Sequence, residues 1–135
     1  IGGFAFFYSK NSERMKLRYD RLEKVVQSAC KQSLKAFFPE IHEAQSFDQL
    51  LSTFSDFEGQ KFIAHCNEGD KKFLKSAYNK GKGVVILIGP EGDFTLDEVK
   101  KAGAEGFVPL SLGEARLRTE TAALVACHSI QFLEM

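Results

Sequence analysis

The sequence is short of most features that announce a function at once. Its formal net charge is zero, with 18 basic and 18 acidic residues, so no whole-molecule field marks it for nucleic acid or a membrane surface. Its cysteines, Cys30, Cys66 and Cys127, are odd in number and widely spaced. They form no CxxC pair and no His/Cys cluster, so neither a zinc site nor a disulfide framework is indicated and no metal is expected. Free thiols at apolar positions fit a reducing cytosol, and a cytoplasmic protein is expected. The opening run Phe4–Tyr8 is too short to span a membrane and has no basic flank before it, so no membrane segment or signal peptide is expected. Repeats, low-complexity tracts and internal linkers are also missing, which predicts one domain over residues 1–135. The chain starts at Ile1, without methionine; the expectation is a piece of a longer protein.

What is present is a balanced globular composition, 44% hydrophobic and 27% charged, far from disorder. The charge is locally uneven. Lys10, Arg14, Lys16, Arg18, Arg21, Lys24, Lys31 and Lys35 stand against Glu13, Asp20 and Glu23, a surplus that can contact phosphates. A solvated helix face laced with ion pairs explains the same residues equally well.

Five apolar runs read as strands: Phe4–Tyr8, Ala36–Ile41, Lys61–Cys66, Val84–Ile88 and Phe107–Leu112. Val84–Ile88 is apolar throughout, as a parallel strand covered on both faces should be. Helical patterns separate them. Leu17–Leu34 is the clearest, with Leu22, Val25, Val26 and Ala29 on one face; Phe47–Phe54, Asp70–Asn79, Leu96–Ala102 and Glu120–Leu133 supply the rest. This alternation predicts an α/β layer fold with a mostly parallel sheet flanked by helices.

Ligands of such sheets bind beyond the carboxyl ends of strands. Val84–Ile88 runs into Gly89-Pro90-Glu91-Gly92-Asp93-Phe94, a rigid turn whose peptides a ligand can approach closely. Thr95-Leu96-Asp97-Glu98 then matches a capping box, and Gly103 is placed to end the helix that follows. Taken alone, the two glycines are a common turn signal. They are no phosphate loop, because the Lys-Ser/Thr ending is absent and Glu91 and Asp93 repel phosphate. Phe107–Leu112 ends in Gly113, and Arg116-Leu117-Arg118 leads into Thr119-Glu120-Thr121. Thr119 is expected as the N-cap of the last helix. Two arginines ahead of a helix start are a local electrostatic conflict, which function tolerates more readily than structure does. The plainer reading pairs them with Glu114 and Glu120.

Ile88-Gly89-Pro90-Glu91-Gly92, followed by Leu112-Gly113 and by Leu117-Arg118-Thr119-Glu120-Thr121-Ala122, resembles the signature of the bacterial ribosomal RNA small-subunit methyltransferase E family of the SPOUT superfamily. Ser12-Glu13-Arg14, Gln32-Ser33 and Pro39 agree with it, so the resemblance covers the whole chain. It departs at Asp93, where the family usually has glycine, and at Arg116, where the family's Arg-Ile-Leu-Arg spacing is altered. The family's amino-terminal RNA-holding barrel is expected to lie outside residues 1–135.

The resemblance implies a carboxyl-terminal deep trefoil knot, S-adenosylmethionine as cofactor, and methylation of N3 of a uridine in small-subunit ribosomal RNA. It implies a homodimer, which the nearly all-round apolar Ala122–Cys127 fits, as a buried helix also does. By analogy the cofactor lies against His65, Cys66, Asn67, Gly89, Pro90, Glu91, Gly92, Leu110, Leu112, Gly113, Leu117 and Arg118. Uridine N3 carries a proton and is a poor nucleophile. Arg118, and secondarily Arg14, would stabilise the uracil anion, while Glu91 or Glu120 would accept the proton. Alternatives are a SPOUT enzyme for ribose 2′-oxygen or another base, and an RNA-binding module without turnover.

Overall fold

In the computed structural model the described residues are 2–12 and 19–135. The elements are β1 (Gly3–Tyr8), α1 (Tyr19–Gln32), β2 (Glu40–Ser46), α2 (Phe47–Thr53), β3 (Gln60–Ala64), β4 (Lys72–Phe73), α3 (Leu74–Ala77), β5 (Val84–Ile88), α4 (Leu96–Ala104), β6 (Val108–Ser111) and α5 (Thr119–Glu134). Every strand pairing is parallel, as the apolar runs predicted. The strands divide into a β1–β2 pair and a four-stranded sheet ordered β4-β6-β3-β5. In the larger sheet β3 is central, with Phe62 opposite both Ile86 and Val108.

Alternation along β3 and β5 sends side chains to two cores. Ile63 and Leu87 join Phe47, Leu50, Leu51, Phe94, Ala102 and Phe107 on the side covered by α2 and α4. Phe62 joins Leu74 and Leu110 on the other side, where Ile130 and Leu133 of α5 pack. Phe7, Phe47 and Phe94 form an aromatic cluster with ring centroids 5.7–6.0 Å apart. Phe94 is 1% exposed and directly follows the glycine loop, so burial worth roughly 1.5–3 kcal/mol anchors that loop to the core.

Helix ends carry much of the local order. Thr95 caps α4 as expected: its hydroxyl accepts from Glu98 N at 3.1 Å, and the Glu98 carboxylate accepts from Thr95 N at 2.9 Å and from Lys10 N at 3.2 Å. Gly103 does not end that helix. The left-handed residue is Gly106 (φ 88°), with Phe107 N bonded to Ala102 O and Gly106 N to Gly103 O, a complete Schellman closure. Glu134 fastens the end of α5 by accepting from Gly81 N at 2.9 Å and from the Tyr78 hydroxyl. The Gly81 bond foremost holds the Glu134 carboxyl below its ordinary range, and the bond to Glu134 holds Tyr78 above its own.

Three expectations shift. The second strand forms at Glu40–Ser46, not Ala36–Ile41, because Pro39 has no N–H for a ladder and restricts the residue before it. Phe37 and Phe38 are left exposed. The Asp70–Asn79 segment is an edge strand beside β6 followed by one helical turn. On α1 the inward stripe is Leu22, Val26 and Cys30, while Val25 and Ala29 face outward.

Candidate active site

The β5–α4 loop is held by side chains from three other places in the chain. Asp93 N closes the turn onto Pro90 O at 2.9 Å. Asn11 donates from Nδ2 to Gly92 O (3.0 Å) and Asp93 O (3.1 Å), Asn67 from Nδ2 to Phe94 O (2.8 Å), and Thr119 from Oγ1 to Gly89 O (2.8 Å). Arg116 reaches Glu91 O at 3.5 Å, too long to weigh much. Gly92 must be glycine for a steric reason: a Cβ there would lie 2.9 Å from the Asn11 Cβ. Asp93 is left-handed (φ 62°), which accounts for the family's glycine. Here the carboxylate offsets the strain, accepting from Cys66 N through Oδ2 and from Phe94 N through Oδ1, both at 2.8 Å. The end of β3 is thereby tied to the loop after β5.

The opposite wall is the segment after β6. Ser111 Oγ accepts from Gly113 N at 3.2 Å, and Gly113 turns the chain with φ 133°. The chain then runs through Leu117 to α5. Arg118, not Thr119, is the N-cap, and it makes no side-chain capping bond. Thr119 is instead the first helical residue, its hydroxyl drawn to Gly89 O by the neighbouring loop.

Between these walls and the end of β3 lies a cleft of about 350 Å³, bounded by Ala64, His65, Cys66, Lys71, Ile88–Glu91, Asp93, Leu110–Leu117, Thr119 and Ala122, the size of a small-molecule site. Leu110, Leu112, Leu117, Ile88 and Ala122 make one part apolar. His65 is 8% exposed, and among the described residues neither ring nitrogen has a hydrogen-bond partner. Burial, and then the nearby Lys71 ammonium, lower its proton affinity, while Asp93 opposes them. Such an imidazole offers one donor and one acceptor to a ligand. Lys71 Nζ donates to Asn67 O at 2.7 Å and His65 O at 3.3 Å.

Of the residues named from sequence, His65, Cys66, Gly89, Pro90, Glu91, Leu110, Leu112, Gly113 and Leu117 meet at the cleft. Gly92 and Asn67 stand behind it and shape it through Asn11 and Phe94. Glu91 lies in the cleft wall, whereas Arg118 and Glu120 are exposed outside it at the start of α5. Arg14 lies outside the described residues. Sequence reasoning missed Lys71 and Asn11. Neither belongs to a local motif, and only the long-range packing brings them to the loop.

A profile of the family described as RNA methyltransferase domain matches residues 2–131. The chain is 32% identical over 129 residues to ribosomal RNA small subunit methyltransferase E of Bacillus subtilis (strain 168), covering 90% of this chain and 50% of that protein. The crystal structure of a probable rRNA-methyltransferase from Porphyromonas gingivalis superposes with TM-score 0.91 at 42% identity, over 99% of this chain and 57% of that one. A ribosomal RNA small subunit methyltransferase E from Neisseria gonorrhoeae, bound to S-adenosyl methionine, superposes with TM-score 0.81 at 30% identity, over 98% and 55%. The chain thus spans about half the length of the curated relatives it matches. With the match running almost end to end, the chain belongs to the RNA methyltransferase domain family.

Proposed function

We propose that residues 1–135 form the methyltransferase domain of an S-adenosylmethionine-dependent enzyme that methylates N3 of a uridine in small-subunit ribosomal RNA. The observation that carries this reading is the cleft in which the Gly89–Glu91 and Leu110–Leu117 segments meet at the carboxyl ends of β5 and β6. The cleft suits the cofactor chemically. The apolar side chains Leu110, Leu112 and Leu117 fit a nucleobase, and His65 brings two ring nitrogens that are unpartnered among the described residues. The bound cofactor supplies an activated methyl group, leaving position and electrostatics to the protein. Glu91, in the cleft wall, takes the N3 proton, with Glu120 as the second candidate. Arg118 folds from the start of α5 over the uracil carbonyls to favour the anion, with Arg14 as its auxiliary.

Titration calorimetry with S-adenosylmethionine tests the site. We expect measurable binding by the chain, lost by more than tenfold in Leu117→Asp with its circular dichroism unchanged. No binding by the unaltered chain, or unchanged affinity in the variant, overturns the placement. Gly89→Val is a poorer probe, since a Cβ there meets the core ring of Phe94 at 3.1 Å. Arg118→Ala in the full-length protein should slow turnover on ribosomal subunits by roughly 100- to 1000-fold with cofactor affinity kept. A fall of less than tenfold removes Arg118 from the chemistry.

The same reading includes a deep knot, a homodimer, a cytoplasmic setting and an RNA-holding barrel supplied from outside residues 1–135. In its support, β6 lies between β3 and β4 and the next segment passes under the Gly89 carbonyl. In α5 only Ala126 is buried, while Leu124 and Phe132 are 71% and 63% exposed, a face that a second copy would cover. Leu124→Asp should yield monomers in sedimentation; an unchanged mass would place any dimer contact elsewhere. Among the described residues no helix is long and apolar enough to cross a membrane.

A further inference from the structure

We infer that Lys71 is a cofactor-binding residue, its ammonium taking the carboxylate at the amino-acid end of S-adenosylmethionine. The inference rests on the cofactor reading above and fixes which way round the cofactor lies.

Lys71 stands between the end of β3 and β4, half-buried in the cleft wall. Two of its three ammonium protons are committed to backbone carbonyls, Asn67 O at 2.7 Å and His65 O at 3.3 Å. These bonds fix the charge in place and leave one donor over. Among the described residues no carboxylate forms an ion pair with it; the only pairs are Glu40–His42 and Asp48–Lys101. Asp93 is a carboxylate of the same cleft, but its oxygens are already engaged by Cys66 N and Phe94 N. A partly buried ammonium held by carbonyl dipoles alone favours an anion brought from outside. Arg116, the other cation of the cleft, is exposed and has only its 3.5 Å contact with Glu91 O, so it is the less organised of the two.

The cofactor carries one anionic group. Its sulfonium and amine are cationic, so Lys71 repels them and attracts the carboxylate. That end of the molecule therefore lies at the β3–β4 side of the cleft. The nucleoside is left to the apolar wall of Leu112 and Leu117.

The experiment compares S-adenosylmethionine with its decarboxylated analogue, which keeps the amine and the sulfonium, by calorimetry on the chain and on Lys71→Met. The unaltered chain should bind the carboxylate-bearing ligand at least tenfold more tightly. Lys71→Met should lose about tenfold for that ligand, the range of a hydrogen bond to a charged group, and less than threefold for the analogue. Equal affinity of the unaltered chain for the two ligands overturns the inference, and this comparison stands even if the variant fails to fold. So does equal weakening of both ligands in Lys71→Met, which would make the lysine a tether for the His65–Asn67 turn. Unchanged affinity for both with weakened RNA binding would assign the ammonium to a phosphate instead. If the unaltered chain binds neither ligand, it is the cofactor reading that falls, and Lys71 with it.

Discussion

Among the described residues two other than glycine adopt the left-handed conformation, Asp93 at φ 62° and Leu34 at φ 57°, and they do so under opposite terms. Asp93 sits in the cleft wall with both carboxylate oxygens bonded at 2.8 Å, so its strain is coupled to contacts that join β3 to the β5–α4 loop. Leu34 closes α1, where Lys35 N bonds Cys30 O and Leu34 N bonds Lys31 O, yet its side chain is 92% exposed. A left-handed conformation costs an L-residue roughly 1–2 kcal/mol. At one site the side chain returns that energy through the fold; at the other nothing among the described residues does. Strain alone therefore does not mark a functional position. Strain whose side chain ties together two walls of a cleft is a reason to propose one.

The sharpest way to break the comparison is to make Asp93 resemble Leu34. Asp93→Leu keeps the strain and removes both acceptors, and should cost about 2–3 kcal/mol, read as a lower urea midpoint with unchanged slope. Asp93→Gly removes the strain along with the bonds and should cost about 1 kcal/mol or less. If the two variants are equally stable, the carboxylate is not what holds the loop.

His65 sharpens the contrast from the cleft side. Its folded-state proton affinity is lowered from the ordinary 6.5, first by burial and then by Lys71. The unfolded chain thus takes up the proton before the folded one does. Stability is full above pH 6.5 and falls as the pH drops below that value toward the lower folded-state one. His65→Leu should flatten this part of the stability curve. Equal slopes for both proteins between about pH 5 and 6.5 would mean that the imidazole is solvated in both states.

The contrast also explains what the sequence made legible. Features coded within a few residues were readable: the all-apolar Val84–Ile88 strand, the Thr95–Glu98 capping box, and the glycine loop at a strand end. Features set by distant partners were not. Thr119 has the chemistry of an N-cap, but Gly89 O lies 2.8 Å from its hydroxyl and Arg118 takes the cap position. Gly103 was the expected helix stop; Phe107, 2% exposed in the core, moves the stop to Gly106. Lys71 carries no motif at all, and only the folding of β4 against β6 brings it to the cleft. Aspartate at a glycine position was visible as an anomaly, while its meaning needed Cys66 N.

The smallest expected effect is a gain, at Leu34. Glycine enters the left-handed region without steric cost, so Leu34→Gly relieves roughly 1–2 kcal/mol of native-state strain. Against this, glycine loses more backbone entropy on folding, about 0.5–1 kcal/mol relative to alanine. Little packing is forfeited, because the side chain is 92% exposed. The balance is a stabilisation of up to about 1 kcal/mol, or roughly 3–5 °C in Tm for a chain of this size. Cofactor affinity should not change. The Leu34 loop leads into Glu40, which pairs with Gly3 at the amino end of β1, whereas the cleft lies past the carboxyl ends of β3, β5 and β6. Thermal unfolding with and without S-adenosylmethionine separates the two effects. A Tm that falls in Leu34→Gly would mean that the entropy cost of glycine outweighs the relieved strain, or that this leucine makes a stabilising contact with a second copy. Repeating the measurement across a hundredfold range of concentration would then distinguish those two, since only association between copies makes Tm depend on concentration.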